Sequence, residues 1–288
     1  MIEPGDAIPI YPPPKKPFII LMQDVETDHL PPAQRYFYDV NGYVLLKGVF
    51  SPRECRRLIA LADQMDADDA CAYKHDGYPK TSTLTVLSRC AWYHSHLLET
   101  AMHPHVLPVI EDVVGGPVRL EEHQFLINYP DPDTADPALA ARDQQWHRGI
   151  APNFGSFESD GHYHCLFTKA FIYLTDNRPG EGTWVVPGSH RMDMPTHDLR
   201  EFLDDTLACQ LAAQAGDMLL LSETLVHAGP LLKAGASPRY SLVYGYAAPF
   251  MQTWQRYDPP NELLQRVTLE QRELLTGEMR YGFRRGQF

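Results

Sequence analysis

Five short β-prone runs in the second half of the chain set the strongest limit on its fold: VRLEEHQFLINYP, HCLFTKAFIYLT, GTWVVPGSH, GDMLLLSETLVHAG and RYSLVYGYAAPF. Each is bounded by Gly, Pro, Asp or Asn, the pattern of a sandwich or barrel of short strands. No internal repeat and no interdomain linker interrupts them. The expected organisation is a single β-rich domain over 31–288 with helices packed on its outside, preceded by a proline-rich arm over 1–30 that carries YPPPKKP and favours extended chain.

The helices have their own signals. After the apolar run NGYVLLKGVF, Ser51, Pro52 and Glu54 supply an N-cap, a proline at the first helical position and a glutamate at the third. They predict a helix from about residue 52 to 66 that buries Cys55, Leu58, Ile59 and Leu61 along one face. A second helical region runs from Trp92 to Val114, breaks at His103-Pro104 and ends at Gly115-Gly116. The acidic segment 131–143 reads as a long surface loop.

Composition narrows the partners. With 44% hydrophobic and 22% charged residues, 288 residues can bury a sizeable core. A formal charge of -12 argues against a nucleic acid polymer or an anionic membrane, both of which attract basic surfaces. The five cysteines contain no C-x-x-C pair, so a reducing compartment fits, and neither a signal peptide nor a membrane-length apolar run is visible. A cytoplasmic location is expected, and nothing in the sequence speaks to the oligomeric state.

The chemistry rests on an ordered set rather than on any one of the thirteen histidines. His147 follows QQW, then come IYLTDN at 172–177, GTWVVPGSH at 182–190, Gly216-Asp217, His227, and Arg239 twelve residues later. This order resembles the phytanoyl-CoA hydroxylase-like (PhyH) family of iron(II)- and 2-oxoglutarate-dependent oxygenases, from about residue 36 to about 254. The resemblance implies a double-stranded β-helix, a cupin-like jelly roll, and an oxidoreductase using Fe(II), 2-oxoglutarate and O2. It implies His147 and His227 as iron ligands and Arg239 as the partner of the far carboxylate of 2-oxoglutarate. Two neutral imidazoles leave such an ion open positions, and arginine offers a carboxylate a bidentate fork. Gln144 reads equally as a hydrogen-bond donor to 2-oxoglutarate and as an exposed strand residue.

One position departs from the pattern. On a strand, residues 147 and 149 share a face, and in the family the second supplies a carboxylate; here it is Gly149. The opening suits chloride, and the chain is similar in this respect to iron- and 2-oxoglutarate-dependent halogenases, which carry Ala or Gly there. The leading expectation is therefore a halogenase chlorinating an unactivated C-H bond. The alternative is a hydroxylase whose carboxylate is displaced or missing, with Glu223, Glu158 and Asp160 as donors, although on a regular strand Glu223 would lie about 13 Å from His227 at a rise of about 3.3 Å per residue. A catalytically inactive binding protein of the same fold is the third reading.

For the substrate, Arg148, Tyr163, His164, Lys169 and Arg191 form a candidate set suited to an anionic or nucleotide-like molecule. The preferred class is a freestanding small molecule from natural-product biosynthesis, because an acidic chain repels an acidic carrier protein. His162 and His164 have the spacing of a metal pair but lack a third partner, and His190 reads as structural. Trp146 and Trp184 read as core walls, while Thr168 and Tyr173 reach the site only if the strand register allows.

Overall fold

Alternation decides which side of the main sheet each residue faces. In the computed structural model, which describes residues 29–131, 145–192, 207–230, 232, 234–252 and 258–278, β1 (Tyr43–Leu46) turns Val44 and Leu46 to one core and Tyr43 and Leu45 to another. The same split recurs in β9 (Met218–Ser222), where Met218 and Leu220 oppose Leu219 and Leu221. It recurs in β6 (Phe167–Tyr173), where Ala170 and Ile172 oppose Phe171 and Tyr173. A strand with apolar residues on both faces must be covered on both.

The covering differs between the faces. Six antiparallel strands run in the order β1, β9, β6, β11 (Arg239–Ala247), β3 (Arg119–Asn128) and β2 (Leu84–Ser88). Outside them pack α1 (Pro32–Asn41), α2 (Pro52–Ala67), α3 (Cys90–Tyr93), α4 (Ser95–Ala101) and α5 (Leu107–Val114). Inside, β7 (Trp184–Val185), β8 (Cys209–Gln210) and β10 (His227–Ala228) form a small sheet that closes the jelly roll through Val185, Leu211, Ala213 and Leu225. A hairpin of β4 (Ser156–Ser159) and β5 (His162–Cys165) flanks it, α6 (Pro152–Gly155) leads into β4, and α7 (Asn261–Leu264) and α8 (Leu269–Thr276) follow β11. The expected β-rich, jelly-roll architecture is thus the one observed.

The helix signals also hold. Ser51 and Glu54 make the reciprocal capping box at the start of α2, whose buried face is Cys55, Leu58, Leu61, Ala62 and Met65, with Ile59 half-buried beside it. Gly115 ends α5 at φ 87, where a side chain would be strained. Tyr244 and Tyr246 of β11 donate to the carbonyls of Leu97 (2.5 Å) and Ala101 (2.7 Å), so the helical layer is bonded to the sheet as well as packed on it. Among the described residues no helix is long and apolar enough to cross a membrane. Most of the proline-rich arm and of the acidic 131–143 segment, and Gln144 with them, lie outside the described residues.

Candidate metal centre

Two short segments, 147–150 and 223–227, are zipped together at the mouth of the jelly roll. His147 and His227 exchange backbone hydrogen bonds of 3.0 and 2.9 Å, and the amides of Gly149 (2.8 Å) and Ile150 (3.2 Å) both donate to the carbonyl of Glu223. His147 sits on an isolated bridge, not in the continuous strand expected from sequence, and the chain bends at Gly149. The pairing is nevertheless enough to bring the imidazoles together, with ring centroids 4.3 Å apart. Trp146 and Trp184 wall this region in a small apolar cluster with Val186, Val226 and Ala228.

Both rings are oriented by their Nδ1 atoms. His147 Nδ1 lies 3.0 Å from the carbonyl of Gln145, and His227 Nδ1 lies 3.0 Å from that of Leu225. A carbonyl can only accept, so each Nδ1 carries a proton, which makes Nε2 the atom whose lone pair the neutral ring offers. Burial, and next the neighbouring His147, hold the pKa of His227 well below the ordinary histidine range, which keeps it neutral. Two imidazoles with Nδ1 held by backbone carbonyls and Nε2 left for a ligand, one ring buried and one exposed, fit a divalent metal approached from solvent.

The third side of the site is where sequence reasoning failed. Residues 223–225 form a turn, closed by the Leu225 amide donating to the Ser222 carbonyl at 2.9 Å, so Glu223 is not extended away from His227. Its Oε1 lies 3.8 Å from His227 Nε2, not at the distance a regular strand would impose. A Cβ built on Gly149 would meet Glu223 Oε2 at 2.0 Å. The carboxylate therefore occupies the volume that a side chain at 149 would need. Glu158 and Asp160 are exposed on the β4–β5 hairpin, and Glu158 pairs with Arg191 instead.

Beside Glu223 is a charged row across the inner face of the sheet. Lys169 Nζ lies 2.9 Å from Glu122 Oε2 and 3.4 Å from Glu223 Oε1, and Gln124 donates to Glu122 at 2.6 Å. The register explains the reach: Gly245 of β11 is paired with Lys169 on one side and Glu122 on the other. A Cβ there would meet Glu122 Cβ at 2.9 Å, so the absent side chain leaves the passage for the ion pair. Burial works against the Lys169 ammonium, but the carboxylates of Glu122 and Glu223 outweigh it and its pKa is raised. Among the described residues no group of three or more His, Cys, Asp or Glu side chains stands where it could hold a metal ion, so a third ligand beside the two imidazoles must come in by side-chain movement.

The remaining candidates are dispersed. Arg239 is buried at the start of β11 with Nη2 paired to Glu181, a carboxylate that the sequence reading did not single out. Arg148 donates to the carbonyl of Met192 (2.7 Å), and Arg191 to that of Asp39 (3.2 Å from Nε, 3.0 Å from Nη2). Tyr163 hydroxyl lies 2.5 Å from Thr224 Oγ1, while His164 stacks on Phe157. Lys169 alone of the five substrate candidates belongs to the charged row, so they do not converge on one anion. His162 bonds Asp39 at 2.8 Å, and His190 is buried with Nε2 3.1 Å from the Asp39 carbonyl, which makes both structural. Tyr173 shares the Lys169 face but donates to Thr183 (3.0 Å), whereas Thr168 lies on the opposite face.

Known proteins place this arrangement in context. The phytanoyl-CoA dioxygenase (PhyH) family profile matches residues 38–233. HygX from Streptomyces hygroscopicus, in a crystal structure with nickel and 2-oxoglutarate bound, has a TM-score of 0.64 at 22% identity and covers 82% of this chain and 94% of its own. The carbocyclase SnoK from nogalamycin biosynthesis has a TM-score of 0.55 at 19% identity, covering 76% and 84%. In sequence, the 1-deoxypentalenic acid 11-beta-hydroxylase of Streptomyces arenae is 30% identical over 179 residues, 57% of this chain and 56% of that protein. The dioxygenase aneA of Aspergillus aculeatus is 30% identical over 134 residues, 46% and 44%. The chain thus spans about half the length of the curated relatives it matches. With the profile covering well over half of the residues and the jelly roll agreeing with it, the chain belongs to the phytanoyl-CoA dioxygenase (PhyH) family.

Proposed function

We propose that the chain is an iron(II)- and 2-oxoglutarate-dependent hydroxylase acting on an unactivated C-H bond of a freestanding small molecule of natural-product type. The observation that carries this reading over halogenation is the Glu223 carboxylate in the volume beside Gly149. A halide needs that position empty, and an anionic side chain within it both fills the space and repels chloride. The named activities of relatives, a hydroxylase and a dioxygenase, support the same choice.

The bound ion and 2-oxoglutarate would supply the oxidising chemistry, driven by decarboxylation of the keto acid with O2. The chain's residues do the rest. His147 and His227 present Nε2 lone pairs held in place by backbone carbonyls. Arg239, now paired with Glu181, would hold the far carboxylate of the keto acid if that carboxylate displaced Glu181 from the guanidinium. Trp146, Trp184 and Val226 exclude water from the buried side of the imidazole pair.

Anaerobic addition of 2-oxoglutarate to the iron(II)-loaded protein tests the proposal, followed by its visible charge-transfer absorption across a chloride titration. A band indifferent to chloride is expected. A saturable chloride-dependent shift would return halogenation to the lead, and no band at any 2-oxoglutarate concentration would favour a binding protein.

A further inference from the structure

Building on that reading, we infer that Glu223 is the anionic ligand of the metal, delivered from the distal side to replace the carboxylate that position 149 lacks. Residues 149 and 223 compete for one volume, since a Cβ at 149 and Glu223 Oε2 would be 2.0 Å apart. The competition is enforced by backbone, because the Gly149 and Ile150 amides both bond the Glu223 carbonyl. A side chain at either position therefore approaches the histidine pair from the same place. Two donors on one ion stand about 3 to 4 Å apart when each bond is about 2.1 Å, and Glu223 Oε1 is 3.8 Å from His227 Nε2.

Its environment gives the carboxylate a reason to take a cation. Glu223 is 1% exposed, and among the described residues the donor that reaches its Oε1 is Lys169 Nζ, at 3.4 Å. A buried carboxylate oxygen held only at that distance is costly unless a further cation compensates it. Lys169 compensates in part, from 3.4 Å, but it is closer to Glu122. Two carboxylates around one ammonium leave a formal charge of -1, the same charge that the missing residue would bring. Lys169 and Glu122 thereby act as positioning residues that restrain Glu223 without neutralising it.

Cobalt(II) titration of the metal-free protein tests this, because visible d-d absorption reports the ligand set and dialysis the affinity. Glu223→Gln should weaken cobalt binding about 10- to 100-fold and change the absorption. Gly149→Asp alone should gain no affinity, because the two side chains collide, whereas Gly149→Asp with Glu223→Gly should return affinity to within a few-fold of wild type. A folded Glu223→Gln protein with unchanged cobalt affinity and spectrum would overturn the inference. Should that variant fail to fold, tighter cobalt binding by Gly149→Asp alone would overturn it equally. His227→Ala separates the two levels: if it binds cobalt normally, the metal-centre reading itself falls, and if it does not while Glu223→Gln does, only the role of Glu223 falls.

Discussion

Two buried charged clusters in this molecule are built alike and finished differently. Around Asp39, Arg35 donates to the Asp39 carboxylate (3.0 Å), to the Asp112 carbonyl (2.9 Å) and to the Tyr163 carbonyl (2.5 Å). The Asp39 carboxylate also accepts from the Tyr163 amide (3.2 Å) and pairs with His162, while its carbonyl is met by His190 and Arg191. Apart from His190 Nδ1, which has no hydrogen-bond partner among the described residues, the chain satisfies this cluster by itself, and it ties α1 to β5 and to the Ser189–Arg191 turn. Around Lys169 the chain stops short: among the described residues Gln124 Oε1 has no hydrogen-bond partner and Glu223 Oε1 has only the long contact from Lys169 Nζ at 3.4 Å, while His227 Nε2 lies 3.8 Å from that same oxygen. A buried polar cluster closed by its own chain belongs to the architecture, and one left open by it is suited to a ligand.

Breaking the closed cluster should give the largest effect. Asp39→Ala leaves buried Arg35 with Asp112 (3.2 Å) as its remaining carboxylate and removes the acceptor of the Tyr163 amide and of His162, and should cost about 4 kcal/mol in urea unfolding, with cobalt affinity of the folded fraction unchanged. Weaker cobalt binding there would mean that the two clusters are coupled.

Lys169→Met probes the open cluster and should cost about 3 kcal/mol without metal, because two carboxylates lose their counter-charge. Unlike Asp39→Ala, it should bind cobalt more tightly than the wild type, because the metal takes over the counter-charge the carboxylates have lost; cobalt at about 100 times its dissociation constant stabilises any binding variant by about 2.7 kcal/mol, so the readout is the affinity itself. Cobalt affinity no tighter than that of the wild type would show that the open cluster does not face the metal.

Acid should attack the closed parts of the fold first. Burial depresses the pKa of His190 to about 4 and of His123 to about 3, with Arg191 and Arg89 respectively adding to the effect. Below the ordinary histidine value the unfolded chain takes up protons that the folded chain refuses, so this stability is complete above about pH 6.5 and drains away as pH falls towards 4 and 3. His123 has a second reason to resist, because its Nδ1 accepts from the Ala91 amide at 3.0 Å. By pH 5 the two should each have cost about 2 kcal/mol, and urea midpoints equal at pH 7 and pH 5 would contradict this.

Much of the fold was legible because its signals are local. Short β-prone runs bounded by Gly, Pro, Asp or Asn marked β3, β6, β9 and β11, and Ser51 with Glu54 marked the start of α2. The pairing of His147 with His227 was legible through family order, not through spacing, since eighty residues separate them. Glu223 was misjudged because the distance argument assumed a strand, and the residues after Ser222 turn instead. Glu181 gave no signal at all, because a lone glutamate before a glycine resembles any surface loop.

The sequence by itself determined a β-rich fold of short strands, the capped helices outside it, and the absence of a carboxylate at position 149, while the jelly roll was implied by the family resemblance. The first three follow from strand-length apolar runs, capping and side-chain identity, each contained in a few adjacent residues. Only the tertiary structure decided what stands in that gap. The Glu223 carboxylate reaches Gly149 through a turn, and Lys169 reaches Glu122 over a glycine on the strand between them. Both depend on cross-strand register, which joins residues far apart in the chain and leaves no trace in local pattern.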